Sequence, residues 1–137
     1  MISMSVSVDV PNLAVGVRFY TEAFGFSKTS EPIPGVVVLR AGTSEICLLE
    51  KKSGSVPAPG AQEARHYERH WTPVHLDFHV DELKSALAKA ISAGAKQEQL
   101  FEKPGYPSVA FCSDPFGHGF CLIERRKKDS EAALLQR

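Results

Sequence analysis

One short phrase occurs twice in the chain, as EICLLE at 45–50 and as GFCLIE at 119–124. The stretches before the two copies also repeat, because an alternating apolar pattern and then a helical apolar pattern precede each copy in the same order. Leu13 and Leu83 begin the two helical patterns, 70 residues apart. The repeat predicts two copies of one strand–helix–strands unit, which together can close a curved sheet around a pocket.

The first unit opens with polar and apolar residues in alternation over 3–10, which is typical of a strand with one buried face. A helix is expected over 12–24, with Asn12 as its cap and Gly25 as its end. The apolar stripe of this helix is Leu13, Val17, Tyr20 and Phe24. The other strands of the unit are expected at 35–40 and 45–50, with a short one within 27–32.

The second unit repeats this order after a connector that contains Pro57 and Pro59. An alternating strand is expected at 73–80, then a helix over 82–93 that Asp81 can cap. The closing strands come from SVAFCSDP and HGFCLIE, around the turn residues DPFG. The predicted organisation is a first module over 1–50, a connector over 51–72, a second module over 73–124 and a tail over 125–137.

Composition excludes several classes of partner. Lys plus Arg and Asp plus Glu number 16 each, so no net charge favours nucleic acid or an anionic membrane. The basic run that starts the tail is too short for a nucleic-acid footprint, and no apolar run approaches the roughly 20 residues that span a bilayer. Three cysteines without paired spacing, and no secretory signal, favour a cytoplasmic location.

Three motifs extend over nearly the whole chain: NLAVGVRFYTEAFGF, HLDFHVDEL and SDPFGHGFCLIE. Together they resemble the vicinal oxygen chelate superfamily, which includes glyoxalase I, extradiol dioxygenases, and the fosfomycin and bleomycin resistance proteins. The resemblance implies an α+β fold of two βαβββ modules that form a curved mixed sheet around a cleft, with the helices outside. It also implies a homodimer that binds a small-molecule ligand.

Metal-dependent members of this superfamily take ligands from the first and last strands of each module. The resemblance places these positions at Ser5 and His75 on the first strands, and at Cys47 and Cys121 on the last strands. Cysteines therefore stand where the family has carboxylates. Zinc accepts a Cys2His set, but cysteine is also an ordinary small core residue. We expect no cofactor and no metal; the alternative, if a metal binds, is the set His75, Cys47 and Cys121.

Glu50 and Glu124 are poor substitutes for the missing carboxylates. Each lies three residues after the cysteine of its strand, and side chains alternate between the two faces of a strand. The two glutamates should therefore share the helix-facing side with Leu48 and Leu122, at solvated strand ends.

Alternation also selects the side chains that face the expected cleft. His75 and Asp77 are about 6.6 Å apart at Cα, near enough for Asp77 to orient His75 as a general base. The favoured interpretation is nevertheless a satisfied polar pair in a hydrated cleft, since no nucleophile or oxyanion donor is recognisable nearby. The expected ligand-binding residues are Ser5, Ser7, Asp9, Cys47, His75, Asp77, His79 and Cys121, with Trp71 and Tyr106 as an aromatic rim or, alternatively, as core anchors.

Two further histidines, His66 and His70, lie four residues apart in the connector. On a helix they would share a face and could hold zinc. Arg65 and Arg69 flank them, however, and like charge disfavours a cation, so a solvated or lid-like segment is the favoured interpretation. His118 follows a turn and is expected at the surface.

The function that these residues favour is binding of a small, partly apolar molecule, in the manner of the glyoxalase and bleomycin resistance proteins but without their usual metal centre. The alternative is a metal-dependent lyase, isomerase or dioxygenase similar to glyoxalase I. A third possibility is a structural module without an enclosed pocket. Whether the protein is an enzyme is left open by the sequence.

Overall fold

A computed structural model describes residues 1–126. The boundary between two compact units lies between Glu68 and Arg69, inside the predicted connector. Within the described part of the chain, neither helix has the length and apolar character needed to cross a membrane.

The first module is one four-stranded sheet with one helix. Its elements are β1 (Val6–Val10), α1 (Leu13–Phe24), β2 (Ser27–Ile33), β3 (Val36–Ala41) and β4 (Ser44–Glu50). The strand order is β1–β4–β3–β2, with β1 parallel to β4 and the other pairs antiparallel. This arrangement is a βαβββ module.

The second module repeats the first. Its elements are β5 (Leu76–Val80), α2 (Leu83–Ala93), β6 (Lys96–Phe101), β7 (Val109–Ser113) and β8 (Gly119–Glu124). The strand order is β5–β8–β7–β6, and β5 is parallel to β8. The predicted α+β fold of two βαβββ modules is confirmed. The sequence pattern had assigned no residues to β6, because all of its residues are exposed and none of its apolar positions alternate.

Helix α1 packs on its sheet through a face centred on a glycine. The buried residues of this face are Gly16, Phe19, Tyr20 and Ala23. The predicted stripe shares Tyr20 with this face, whereas its other three positions are half-buried. The difference arises because Gly16 lets the helix backbone approach the sheet: a Cβ there would lie 3.2 Å from the side chains of Leu48 and Val10.

A glutamate at the end of the last strand binds the helix of its own module. The backbone N–H of Leu13 donates to Oε2 of Glu50, and that of Leu83 donates to Oε2 of Glu124, both at 2.8 Å. The first N–H groups of a helix lack partners within the helix and carry partial positive charge, so a carboxylate stabilises them on both counts. The glutamates thus lie on the helix-facing side, as alternation predicted. Glu50 is also exposed, as expected of a strand end, whereas Glu124 is half-buried.

The start of α2 depends on this bond more than the start of α1 does. Asn12 caps α1 by accepting from the N–H of Val15 at 3.0 Å. The corresponding residue of α2 is Glu82, whose side chain makes no capping bond. Asp81, the predicted cap, instead forms an ion pair with Arg125 at 2.9 Å.

Candidate functional site

The parallel pairing of β5 with β8 places Asp77 directly beside Cys121. Leu122 is fully buried on the helix side of the sheet, so Cys121 and Asp77 point to the opposite face. His75 precedes β5 by one residue and lies on the same face as Asp77, with its Nδ1 atom 3.1 Å from Oδ1 of Asp77. One ligand atom from each of these three residues lies within 4.8 Å of the other two. The second module therefore brings an imidazole, a carboxylate and a thiol together.

The thiol of this cluster is buried and protonated. Burial, followed by the negative charge of Asp77 and a hydrogen bond to it, raises the pKa of Cys121 to about 11. The side chains of His75 and Asp77 are half exposed, so a ligand can reach the cluster from solvent. A metal ion that binds here has to displace the thiol proton, because only the thiolate is a ligand.

The donor set fits one class of ion better than others. Catalytic zinc sites use three protein ligands and keep a fourth position open, and zinc accepts imidazole, carboxylate and thiolate donors. Mg²⁺ and Ca²⁺ prefer oxygen donors alone, so the thiolate and the imidazole disfavour them. The residues present therefore suit a borderline-soft divalent ion such as Zn²⁺.

A cavity of about 190 Å³ opens at this cluster, and both His75 and Cys121 line it. The other side chains that form its walls include Arg69, Trp71, Glu98 and Phe111. Charged side chains, a thiol and aromatic rings therefore line the same small cavity in the second module.

The charged wall of the cavity is a two-bond ion pair. Nε of Arg69 donates to Oε2 of Glu98 at 2.6 Å, and Nη2 donates to Oε1 at 3.0 Å. The hydrogen bond from Arg69 holds the pKa of Glu98 below its ordinary value. The register of β6 against β7 shifts between Gln97 and Gln99, so Glu98 lies at a β-bulge, a feature that re-aims a side chain.

Gly119 makes room for this ion pair. A Cβ at this position would lie 2.8 Å from Nη2 of Arg69, which is too close for a side chain. Nη1 of Arg69 also donates to the backbone carbonyls of His70 and Gly117. Arg69 thus joins β6, the β7–β8 turn and the segment that leads to Trp71.

In the first module, different residues occupy the positions that correspond to His75 and Asp77. Ser7 pairs with Cys47 as Asp77 pairs with Cys121, and Ser5 precedes β1 by one residue as His75 precedes β5. Ser5 and Ser7 are exposed and Cys47 is half-buried.

Asp9, the remaining residue expected from β1, binds the connector. Its Oδ2 atom accepts from Nε of Arg65 at 2.8 Å, and Arg65 also donates to Ser55 and to the carbonyl of Val56. The Asp9 carboxylate is therefore bound to Arg65 of the connector.

Of the other residues expected at the site, Trp71 lines the cavity and His79 and Tyr106 do not. His79 is exposed on the same face of β5 as Asp77 but outside the three-residue cluster. Trp71 lines the cavity, whereas Tyr106 is not among the lining residues and instead contacts Phe101, with 6.3 Å between ring centroids.

The connector histidines do not form the helical pair that would hold zinc. The segment with His66 and His70 has no helix. His70 instead lies beside His118, with Nε2 of His70 3.1 Å from Nδ1 of His118. This contact joins the segment before β5 to the turn between β7 and β8.

The comparisons with known proteins agree with this fold. A family model for the glyoxalase-like domain matches residues 5–123. The chain belongs to the glyoxalase-like family. A search among curated proteins finds no match to the chain.

Solved structures of the same fold include three with informative names. A lactoylglutathione lyase from Agrobacterium tumefaciens is 16% identical, with a TM-score of 0.62, and the match covers 90% of this chain and 92% of that one. A glyoxalase/bleomycin resistance protein/dioxygenase family enzyme from Burkholderia phytofirmans is 20% identical, with a TM-score of 0.63 and coverage of 88% and 95%. A variant of the fosfomycin resistance protein FosX from Listeria monocytogenes is 17% identical, with a TM-score of 0.70 and coverage of 98% and 99%.

The expectation that the chain has no cofactor is wrong. The FosX structure was solved with Mn(II) and a dihydroxypropylphosphonic acid, and three residues here offer ligand atoms within 4.8 Å of one another. Cys47 and Cys121 stand at the family's carboxylate positions, so the resemblance alone leaves no carboxylate for a metal. Asp77 supplies a carboxylate from another position, because the register places it next to Cys121.

Three cavity residues were not singled out from the sequence. Glu98 lies on a strand without an apolar pattern, and the sequence shows Arg69 only as a positive charge beside a histidine. Phe111 lies opposite Cys121 across the β7–β8 pair. The alternation of β7 could have revealed Phe111, because Ala110 and Cys112 on either side of it are buried.

Proposed function

We propose that this protein is a metal-dependent enzyme of the glyoxalase type, which holds a divalent ion through His75, Asp77 and Cys121 and acts on a small oxygen-bearing molecule. The observation that supports this proposal is the mutual approach of three ligand atoms within 4.8 Å at a cavity wall. When bound, a divalent ion supplies Lewis-acid polarisation of a ligand oxygen.

The donor set favours a lyase or an isomerase over a dioxygenase. Non-haem iron oxygenases use two histidines and one carboxylate, whereas this cluster has one imidazole, one carboxylate and one thiol. Zinc, the ion that the set suits, does not undergo redox chemistry. The lyase named among the structures of this fold is consistent with that choice.

Each residue of the cluster has a distinct task in this proposal. In the metal-free protein Asp77 fixes the orientation of the His75 imidazole through the 3.1 Å contact between Oδ1 and Nδ1, and its carboxylate supplies the oxygen donor of the ligand set. Cys121 releases its proton on metal binding, so the affinity for the ion increases with pH.

Metal content tests the proposal directly. Chelator-treated protein is dialysed against Zn²⁺, Co²⁺ or Mn²⁺ and analysed for bound metal, with one equivalent of Zn²⁺ or Co²⁺ expected. His75→Gln, Asp77→Asn and Cys121→Ser should each weaken the affinity by at least about tenfold. The visible absorption of a thiolate–Co²⁺ bond should disappear in Cys121→Ser.

The chain supplies matched controls for these variants. His79→Gln changes an exposed histidine on the same strand face outside the cluster, and Cys47→Ser changes the repeat-equivalent cysteine of the first module. Both controls should keep the metal affinity of the unmodified protein. Equal metal binding in the cluster variants and in the controls would contradict the proposed centre.

Turnover tests the enzymatic part separately. A panel of small α-hydroxy and α-keto carbonyl compounds is incubated with the zinc-loaded protein, and the products are analysed by NMR. Conversion should stop after chelation and in Cys121→Ser, and it should persist in Cys47→Ser. Stoichiometric metal without conversion of any compound in the panel would favour a binding protein instead.

A further inference from the structure

Two large aromatic side chains remain exposed to water at the cavity of the second module. Trp71 is 80% exposed and Phe111 is 39% exposed, and both line the cavity. Among residues 1–126, neither ring packs on another aromatic ring, whereas the exposed Tyr106 contacts Phe101. Aromatic side chains that line a concave site are typical of pockets that bind small molecules.

Phe111 lies next to the candidate metal ligands. The β7–β8 register places it opposite Cys121, and the β5–β8 register places Asp77 on the other side of Cys121. Side chains that are directly opposite across an antiparallel pair have Cβ atoms about 4.5–5.5 Å apart. The Phe111 ring is therefore within reach of a molecule whose donor atom lies at the cluster.

Trp71 is held near the cavity by the residues that precede it. Arg69 is bonded to Glu98 and to the carbonyl of Gly117, and the backbone N–H of His70 donates to the same carbonyl at 3.3 Å. This segment is therefore pinned on two sides just before Trp71. A wall that is fixed before binding costs less to order when the ligand arrives.

The volume and the charges of the cavity restrict what can lie between these walls. A closed apolar cavity of about 150 Å³ holds one benzene molecule, so about 190 Å³ accommodates a single ring with one or two small substituents. Arg69 and Glu98 neutralise each other. The cavity therefore presents aromatic faces and one metal-binding corner, with no uncompensated positive charge.

We propose that the cavity binds a single-ring planar molecule, whose oxygen donor group reaches the ion at His75, Asp77 and Cys121 while its ring packs on Trp71 and Phe111. This inference rests on the proposed function for its metal and adds the class of ligand. It makes Trp71 and Phe111 residues that determine specificity.

Two hydroxamic acids with the same chelating group separate the ring from the donor. Benzohydroxamic acid carries one ring and acetohydroxamic acid carries a methyl group. Binding to the Co²⁺-loaded protein is followed by its visible absorption, with bound cobalt measured after each titration. Benzohydroxamic acid should bind about tenfold more tightly, because ring packing adds to the shared chelation.

Variants of Trp71 and Phe111 test whether these two rings cause the difference in affinity between the two acids. In Trp71→Ala and Phe111→Ala the ratio of the two affinities should fall below about threefold, and Trp71→Phe should restore most of it. Tyr106→Ala, which removes an exposed ring outside the cavity lining, should leave the ratio unchanged. Equal affinities of the two acids for the unmodified protein would overturn the inference and leave the metal centre in place.

Trp71 is the single tryptophan of the chain, so its fluorescence gives a second readout that does not require metal. Quenching of the metal-free protein by benzohydroxamic acid, unmatched by acetohydroxamic acid, would support the ring site even if metal uptake failed. Absence of selective quenching in both the metal-free and the zinc-loaded protein would overturn it.

Discussion

At Gly119, a missing side chain keeps an ion pair in the cavity wall. A Cβ there would lie 2.8 Å from Nη2 of Arg69, so the guanidinium would have to shift from its present position against Glu98. Gly119→Ala should therefore lower the free energy of unfolding by about 1 kcal/mol, since a partly exposed ion pair is worth up to about that much. In a urea titration the midpoint should decrease without a change of slope.

The pKa of Glu98 tests whether the Arg69–Glu98 ion pair breaks in Gly119→Ala. Loss of packing alone would not change this pKa. The pKa of Glu98 is lowered mainly by its hydrogen bond from Arg69. In Gly119→Ala, the pKa measured by NMR titration should rise towards the ordinary value. In a double-mutant cycle, Gly119→Ala should lower the free energy of unfolding by much less when Glu98→Gln is already present. An unchanged Glu98 pKa in Gly119→Ala would show that the guanidinium adapts without leaving.

Thiol reactivity should distinguish the two repeat-equivalent cysteines. Burial raises the pKa of Cys121 to about 11, so at pH 8 its sulfur is a thiol and not the reactive thiolate. With iodoacetamide and mass spectrometry, the metal-free protein should be labelled at the half-buried Cys47 well before Cys121. Labelling of Cys121 should accelerate as the pH rises from 8 towards 11. Equal rates at pH 8 would contradict this assignment.

At the level of elements, the two glutamate-to-helix bonds differ in importance. Glu124 is the side chain that binds the start of α2, because Glu82 makes no capping bond, whereas α1 has Asn12 as well as Glu50. Glu124→Ala should cost about 1–2 kcal/mol of unfolding free energy, and Glu50→Ala about half of that. Urea titrations followed by circular dichroism measure both. The reverse order would indicate that α1 and not α2 depends on its strand carboxylate.

The elements whose orientation the sequence predicts are those with one buried face. Strand β4 alternates because Ile46 and Leu48 face the helix, so its pattern shows both the strand and its orientation. All residues of β2 and β6 are exposed, so neither strand has an apolar period. The sequence therefore predicts β2 only as a short strand within 27–32, and it does not predict β6. For α1, the sequence showed a helix but not which side is buried, since close approach at Gly16 depends on the sheet beneath it.

Alternation within a single strand predicts which side chains of the candidate site share a face, but it does not predict which strands lie side by side. Alternation places His75 and Asp77 on one face, and the structure finds them 3.1 Å apart. The approach of Asp77 to Cys121 depends on the register between strands that are more than 40 residues apart in the chain. The same limit applies to Glu98, whose direction is set by a bulge in the β6–β7 pair.

At the scale of the whole molecule, one repeated module carries the candidate metal ligands and the other does not. The β1–β4 and β5–β8 pairs have matching registers, yet serines in the first module stand where the second has a histidine and an aspartate. The repeat therefore preserves the residues that build the fold, such as the strand-end glutamates, more closely than those that offer ligand atoms.

Association into a homodimer is a prediction that belongs to this scale. Strands β2 and β6 each lie at an edge of their own sheet, and large apolar side chains remain exposed on them, including Ile33 and Leu100. Exposed sheet edges favour association, and two-fold dimers are the commonest result. Light scattering at tens of micromolar protein should give twice the chain mass of 15.0 kDa. Ile33→Lys or Leu100→Lys should weaken the dimer, whereas Val56→Lys, at an equally exposed position in the connector, should not. A mass of one chain at every concentration would exclude the dimer, and equal effects of all three lysines would place its interface away from these strands.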